Sequence, residues 1–279
     1  MYSVSEEIAN SPSRKDGIDY EIEDNQRRYG SHIIQEAGIL MKLPQVTIVT
    51  SQIIFHRFYC RQSFKSYDVK NICMGVVFIA IKYTEVKRRI RDIVNTFNYV
   101  FQKTEGAKIE YLDTREELYW KLKADVMEAE MTVLKEFGFL MKVEPPHKFI
   151  LNYLKLLEKS NDVAQKAWNY LNDSMRTTLS VQYKPESIAA ASIFLAAKML
   201  KVRLVEEPYP WWEIFDTTKE EILSISEEIN NFYNKPKPFY IDIEKFYAAA
   251  AAAAAVVVPT TISSPASTTT TTTSTTPTS

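Results

Sequence analysis

Few residues in this 279-residue chain combine the chemistry and the spacing that a reaction needs. His32, His56 and His147 are the only histidines, and none falls in an HExxH, HxH or His–Asp arrangement. Each therefore reads as a surface or packed side chain rather than a metal ligand or a base. No glycine-rich phosphate loop and no GxSxG turn occurs. The paired carboxylates Glu116/Glu117, Glu206/Glu207, Glu220/Glu221 and Glu227/Glu228 fall on polar faces or in loops, where solvated surface accounts for them. The residues suggest no catalytic constellation, no metal and no cofactor.

Two other charges stand out. Glu130 belongs to an expected long helix, and its neighbours three and four residues away are Val126, Met127, Val133 and Leu134. It has no ion-pair partner on its own helix. Leaving it buried and unpaired would cost about 3–5 kcal/mol. It must reach water, a distant cation or another protein. Lys82 is flanked by Phe78 and Ile79, with Glu85 as its one nearby counter-charge. Either both side chains snorkel to solvent, or they lie close on one surface and meet the backbone of a partner.

The run Lys87, Arg88, Arg89 and Arg91 opens the following helix, where cations oppose the helix dipole. A solvated face is one account of it, and a phosphate or acidic-partner contact is the other. Trp211 and Trp212, after Pro208 and Pro210, read as a core wedge that seals a gap between domains.

The stretch that must position these groups is YDVKNICMGVVFIAIKYTE, residues 67–85. Ile72, Val76, Ile79 and Ala80 repeat at helical spacing, and Cys73, Val77 and Phe78 fill most remaining faces. A helix apolar nearly all round is buried on most sides. Gly75 costs roughly 1 kcal/mol against Ala in mid-helix, which argues that another helix crosses closely there. Residues 67–85 are thus the expected hub of a helical bundle.

The other helices of a first set are expected at 25–41, 45–61, 88–102 and 114–137. Thr114 and Glu117 have capping-box spacing at the start of the last. Along it, Leu118, Leu122, Val126, Ala129, Val133 and Phe137 draw one apolar stripe, and Gly138 stops it. A second set follows at 146–158, 161–179, 185–200, 209–215 and 218–234, with Pro185 in a first-turn position and Thr217 and Thr218 as candidate caps. VVFIAIK at 76–82 resembles SIFLAAK at 192–198, each ending a third helix on Lys. The matching order points to an all-α protein of two tandem five-helix domains. Their expected limits are 25–142 and 143–238, after a flexible leader at 1–24 and before a low-complexity Ala/Thr/Ser tail at 239–279. The Thr tract within that tail has no means of building a core and should be disordered.

A formal net charge of −1 gives no global attraction to nucleic acid or to an anionic membrane. Cys60 and Cys73 have no metal-ligand spacing and make no disulfide framework, which fits a reducing compartment. The polar, acidic start is not a signal peptide. No apolar run reaches the ~18 residues of a membrane span.

The segments QEAGILMKLPQVTIVTSQIIFHRFY, KRRIRDIVNTF, AEMTVLKEFGF, EPPHKFILNYL, KPESIAAASIFLAAK and PWWEIF, in this order, resemble the cyclins. Within that family they are most similar to the transcription and splicing group that includes cyclin L, toward which RRIRD leans. Cyclin K is similar through NDSMRTTLSVQYKPE and WWE. The resemblance covers about 25–233 and implies two cyclin boxes, no catalytic activity of the chain's own and a nuclear location. It implies a cyclin-dependent kinase as partner, activated by holding its mobile helix inward, with splicing or transcription factors as further partners. Lys82 and Glu130 match the family's lysine and glutamate that bond to the kinase main chain. Tyr83, Leu134 and Phe139 fall where the family places apolar kinase contacts; core packing is the alternative for those three. The chain departs from the family at Lys82-Tyr83-Thr84-Glu85, where Lys-x-Glu-Glu is common, and at Lys87, where cyclin L relatives usually have Pro. Many cyclin L proteins also carry an Arg/Ser-rich tail where this chain has Ala and Thr.

A nucleic-acid-binding adaptor of the TFIIB type is the alternative on the same fold. Two cysteines are too few for its zinc ribbon, and the chain lacks its positive charge. An enzyme with a helical core is the third reading, and the missing constellation argues against it.

Overall fold

The computed structural model describes residues 10–158, 160–204 and 207–256, and among these there is no strand. Residues up to Asp242 make one compact unit. Its helices are α1 (Pro12–Lys15), α2 (Tyr20–Leu40), α3 (Gln45–Arg61), α4 (Val69–Tyr83), α5 (Ile90–Glu105), α6 (Glu117–Glu136), α7 (His147–Leu156), α8 (Asn161–Ser174), α9 (Leu179–Gln182), α10 (Pro185–Met199) and α11 (Lys219–Asn234). A 3-10 turn, Glu213–Phe215, precedes α11. The Ala-rich helix α12 (Ile243–Val256) belongs to a second unit, and its composition alone favours helix.

Helix α4 is the hub of the first set. Asp68 caps it, accepting from the N–H groups of Lys70 (2.8 Å) and Asn71 (3.4 Å). From Val69 to Ile81 it is buried except at Lys70, Asn71 and Phe78. It packs against α2, α3, α5 and α6. At Gly75 an added Cβ would lie 2.7 Å from Ala129 Cβ and 2.9 Å from the Ala129 carbonyl carbon, so α6 crosses at backbone contact. Helix α10 has the same place in the second set, packed against α7, α8, α9 and α11. Pro185 stands in its first turn, and Thr218 caps α11 by accepting from Glu221 N–H at 3.2 Å.

Several elements differ from expectation for local reasons. Residues 161–179 break after Ser174, where the hydroxyl of Thr177 donates to the Ser174 carbonyl (2.7 Å) and accepts from Leu179 N–H (3.3 Å). Residues 209–215 shrink to the 3-10 turn, since Pro208 and Pro210 bring no N–H to a helix. Trp211 is buried there edge-on to Phe215, which stacks on Tyr153. Thr114 caps nothing: α6 starts at Glu117, and the Thr114 hydroxyl faces Asp113. Leu118 is exposed, and the buried stripe of α6 is Tyr119, Val126, Ala129 and Val133.

The polar stretch before Asn25 is not loose over its described residues. The buried Ser11 hydroxyl donates to Glu23 (2.7 Å), Ser13 accepts from Phe64 N–H (3.1 Å), and α2 begins five residues early at Tyr20. At the other end, residues 235–241 strap back along α2. Arg28 donates to the Pro236 carbonyl (2.7 Å), Asn25 exchanges hydrogen bonds with the Phe239 backbone, Gln26 donates to the Ile241 carbonyl, and Tyr240 donates to Asp68 (2.7 Å). The tail expected from residue 239 is thus held to α2 at its start. The Thr/Ser/Pro tract and Glu206 lie outside the described residues.

His56 and Gln45 of α3 join the first set to the second. His56 of α3 is fully buried, with Nε2 2.8 Å from the Ser31 hydroxyl and 3.2 Å from the Met175 carbonyl at the end of α8. His147 Nε2 and Gln45 Nε2 both reach Asn172 Oδ1, each at 2.8 Å. These are packed histidines. Among the described residues, no helix is long and apolar enough to cross a membrane and no group of His, Cys, Asp or Glu is placed to hold a metal. The thiols of Cys60 and Cys73 are not joined.

Burial and the nearby Arg27 charge hold the His56 imidazole down at about 3, from an ordinary 6.5. Below the ordinary value the unfolded chain binds a proton there that the folded chain refuses. Each pH unit from about 6.5 toward 3 then costs about 1.4 kcal/mol of stability. Denaturant unfolding at pH 7, 6 and 5 should show this slope, and His56→Gln should flatten it by about one proton's worth. An unchanged slope in the variant would mean that carboxylates carry all the acid sensitivity.

Candidate functional site

The crossing of α4 and α6 sets the site. Lys82 Nζ lies 2.6 Å from Glu130 Oε1 and 2.9 Å from Oε2, a pair 48 residues apart in sequence. The ammonium also sits over the Phe78 ring, 4.0 Å from its centroid. The Glu130 backbone nitrogen is 3.0 Å from where a Gly75 Cβ would stand. The missing side chain therefore fixes the height at which the carboxylate meets the lysine. Glu85, the nearer counter-charge in sequence, turns away in a left-handed residue just past α4, at φ +56°.

The Lys82 side chain is 55% exposed and Glu130 15%. An ion pair this open is worth about 0–1 kcal/mol, so a partner's backbone can break it at little cost. Lys82 retains a third donor, and the carboxylate retains acceptor capacity.

Large apolar side chains close to the pair in sequence are exposed or half-buried. Tyr83 is 47% exposed and Phe139 61%, while Leu134 is half-buried. Phe139 has left-handed backbone, φ +62°, directly after left-handed Gly138. An aromatic residue there is uncommon and strained; the turn presents its ring to solvent. Met127, Met131 and Leu140 are exposed as well, and sequence reasoning did not single them out. Their signal was present: Met127, Met131 and Leu134 share one helical face with Glu130.

The structure divides the basic run. Arg88, itself exposed, closes the end of α2, donating to the carbonyls of Met41 (3.1 and 3.0 Å) and Lys42 (3.4 Å). Lys87 and Arg89 precede α5, and Asp92 reaches back to Arg89 N–H at 3.4 Å, so the helix start carries its own acid against the dipole. All four cations are exposed, and Arg88 is the one engaged with the end of α2.

Comparison with known proteins bears on the same segments. Residues 1–142 match the family model for the cyclin N-terminal domain, and 145–232 match that for a Cyclin-T2-like C-terminal domain. The chain belongs to the cyclin family. Among relatives, Cyclin-L1-1 of Oryza sativa subsp. japonica is 43% identical over 88% of this chain and 57% of its own length. Cyclin-L1 of Homo sapiens is 40% identical over 86% of this chain and 46% of its own. This cyclin therefore spans about half the length of the curated relatives it matches, and its similarity to cyclin L is the one its sequence motifs imply. A chain in the crystal structure of the yeast RNA Pol II CTD kinase CTDK-1 complex superposes with a TM-score of 0.67. It is 16% identical, covering 90% of this chain and 81% of that one. At that identity the likeness establishes a shared fold of two tandem cyclin-type domains.

Gly75→Ala tests the crossing. By propensity it should stabilise α4 by about 1 kcal/mol. Against the Ala129 backbone it should instead destabilise the cyclin by about 1–3 kcal/mol through overpacking, read by denaturant unfolding. A gain in stability would show that the helices do not meet there.

Proposed function

We propose that this cyclin is the non-catalytic regulatory subunit of a cyclin-dependent serine/threonine kinase. The observation that carries the reading is the Lys82–Glu130 pair, an opposite-charge pair whose lysine is open to solvent and which stands beside exposed apolar side chains in sequence. A pair of this kind offers an ammonium to a carbonyl and a carboxylate to an N–H, which is what the exposed end of a partner's helix or loop presents. Tyr83, Leu134 and Phe139 supply the apolar contact on either side.

The mechanism follows from rigidity. The kinase's mobile helix must be held inward for its Lys–Glu pair to form and for the activation segment to align. A surface set by backbone contact at Gly75 can hold that helix without adjusting to it. Lys87, Arg89 and Arg91, exposed at the start of α5, are further contacts for an acidic region of the partner. Similarity to Cyclin-L1 proteins supports a nuclear role in RNA polymerase II transcription and pre-mRNA splicing, with splicing or transcription factors as additional partners. The extents of the two family models, 1–142 and 145–232, support a division between the domains near residue 142.

Affinity capture on the full chain from nuclear extract, with the kinase identified by mass and its activity assayed, tests this reading. The double substitution Lys82→Ala/Glu130→Ala should lower captured kinase activity about tenfold or more, a loss of about 1.4 kcal/mol or greater. Its melting temperature should move by no more than about 4 °C, because an exposed pair contributes little to stability. Unreduced capture, or a collapse in melting temperature, would remove the pair from the interface.

A further inference from the structure

A second surface lies where α3 meets the linker from α6 to α7 and the start of α10. It is a cavity of about 590 Å³ that includes Arg57, Arg61, Phe137, Leu140, Lys142 and Val181 in its lining. Arg57 and Arg61 stand one turn apart on α3, so both guanidinium groups face the same space. Arg57 Nη1 donates to the Lys142 carbonyl at 2.7 Å, and Arg61 Nη1 to the Glu136 carbonyl at 3.1 Å. Arg61 also lies over the Phe137 ring, 5.2 Å from its centroid. These partners orient both guanidinium groups without neutralising either.

The nearby carboxylates are engaged elsewhere. Glu136 accepts from Gln62 Nε2 at 2.6 Å, and Glu144, on the cavity wall, lies 3.6 Å from Lys148. Among the described residues, neither arginine has a carboxylate within ion-pair distance. Burial first, and then the charge of Arg61, lowers the Arg57 guanidinium from its ordinary value, as expected for a cation held without a counter-ion. Lys142 adds a third cation at the surface, and Leu140, 83% exposed, offers an apolar contact beside it.

We propose that this cavity binds a phosphorylated peptide segment of a partner protein, with the phosphate held between Arg57 and Arg61 and an adjacent apolar residue resting against Leu140. Phosphate suits the site better than a carboxylate. It carries close to two negative charges and three acceptor oxygens, which match two oriented forks and a nearby ammonium. A single carboxylate would leave one guanidinium unanswered. The site shares no residue with the Lys82–Glu130 pair, so it stands whether or not that pair contacts a kinase.

The test is fluorescence anisotropy on the full chain with a labelled, degenerate phosphoserine peptide pool bearing an apolar residue after the phosphoserine. Two control pools are the unphosphorylated form and one with aspartate in its place. The phosphorylated pool should bind about tenfold or more tightly than either control. Arg57→Gln/Arg61→Gln should remove that preference, and Arg61→Lys should weaken it by losing the fork while keeping the charge. Lys82→Ala/Glu130→Ala should leave it intact. If Arg57→Gln disturbs folding, Arg61→Gln alone and Lys142→Glu read the same effect at exposed positions. Equal binding of all pools, equal binding of the phosphorylated and aspartate pools, or a preference that survives loss of both arginines would overturn the proposal.

Discussion

The contact between Gly75 and Ala129 is the constraint on which the rest of the first domain depends. Two helices meet at backbone distance because one position carries no side chain. That approach buries α4 on nearly every face, and it brings a lysine at the end of one helix to a glutamate in the middle of the other. A bulkier residue would lengthen the crossing and part the charges. The helix-propensity cost of glycine is thus offset by packing, and the same contact decides both stability and the form of the exposed face.

Polar contacts join the two domains where apolar packing could have served. His56 meets the Met175 carbonyl, and Gln45 reaches Asn172, which His147 of the second domain holds in place. Buried polar groups of this sort specify one relative placement, because any shift leaves them unsatisfied. The strap over α2 acts in the same way. Arg28, Asn25 and Gln26 satisfy backbone carbonyls of residues 236–241, and Lys70 lies over the Tyr240 ring at 3.8 Å. Two chain segments that looked featureless are held by side chains of a helix between them in sequence.

Charges on this protein fall into three groups by what answers them. Some close helix ends internally, as Arg88 does. Lys82 and Glu130 answer each other weakly and remain accessible. Arg57 and Arg61 are oriented by neutral carbonyls. The last two groups keep capacity for another molecule, as do the exposed Lys87, Arg89 and Arg91.

Much of this was legible in the amino-acid order. Apolar spacing gave the five helices of the first set and most of the second, the all-round apolarity of residues 67–85 marked the hub, and Gly75 announced a crossing. Glu130 stood out because nothing on its own helix could pair with it. These are local signals, since a helix fixes which residues lie three and four positions apart. Long-range geometry decided the remainder. Lys82 turned to Glu130 rather than Glu85 because the crossing placed α6 beside it. Arg88 reached back to α2 because the end of that helix left carbonyls within its reach. Residues 11–24 and 235–241 acquired order from partners far along the chain, and Arg57 and Arg61 became a site only when the second domain walled them in. Spacing within one helix carries no information about which distant backbone will arrive opposite it, and packing alone supplies that.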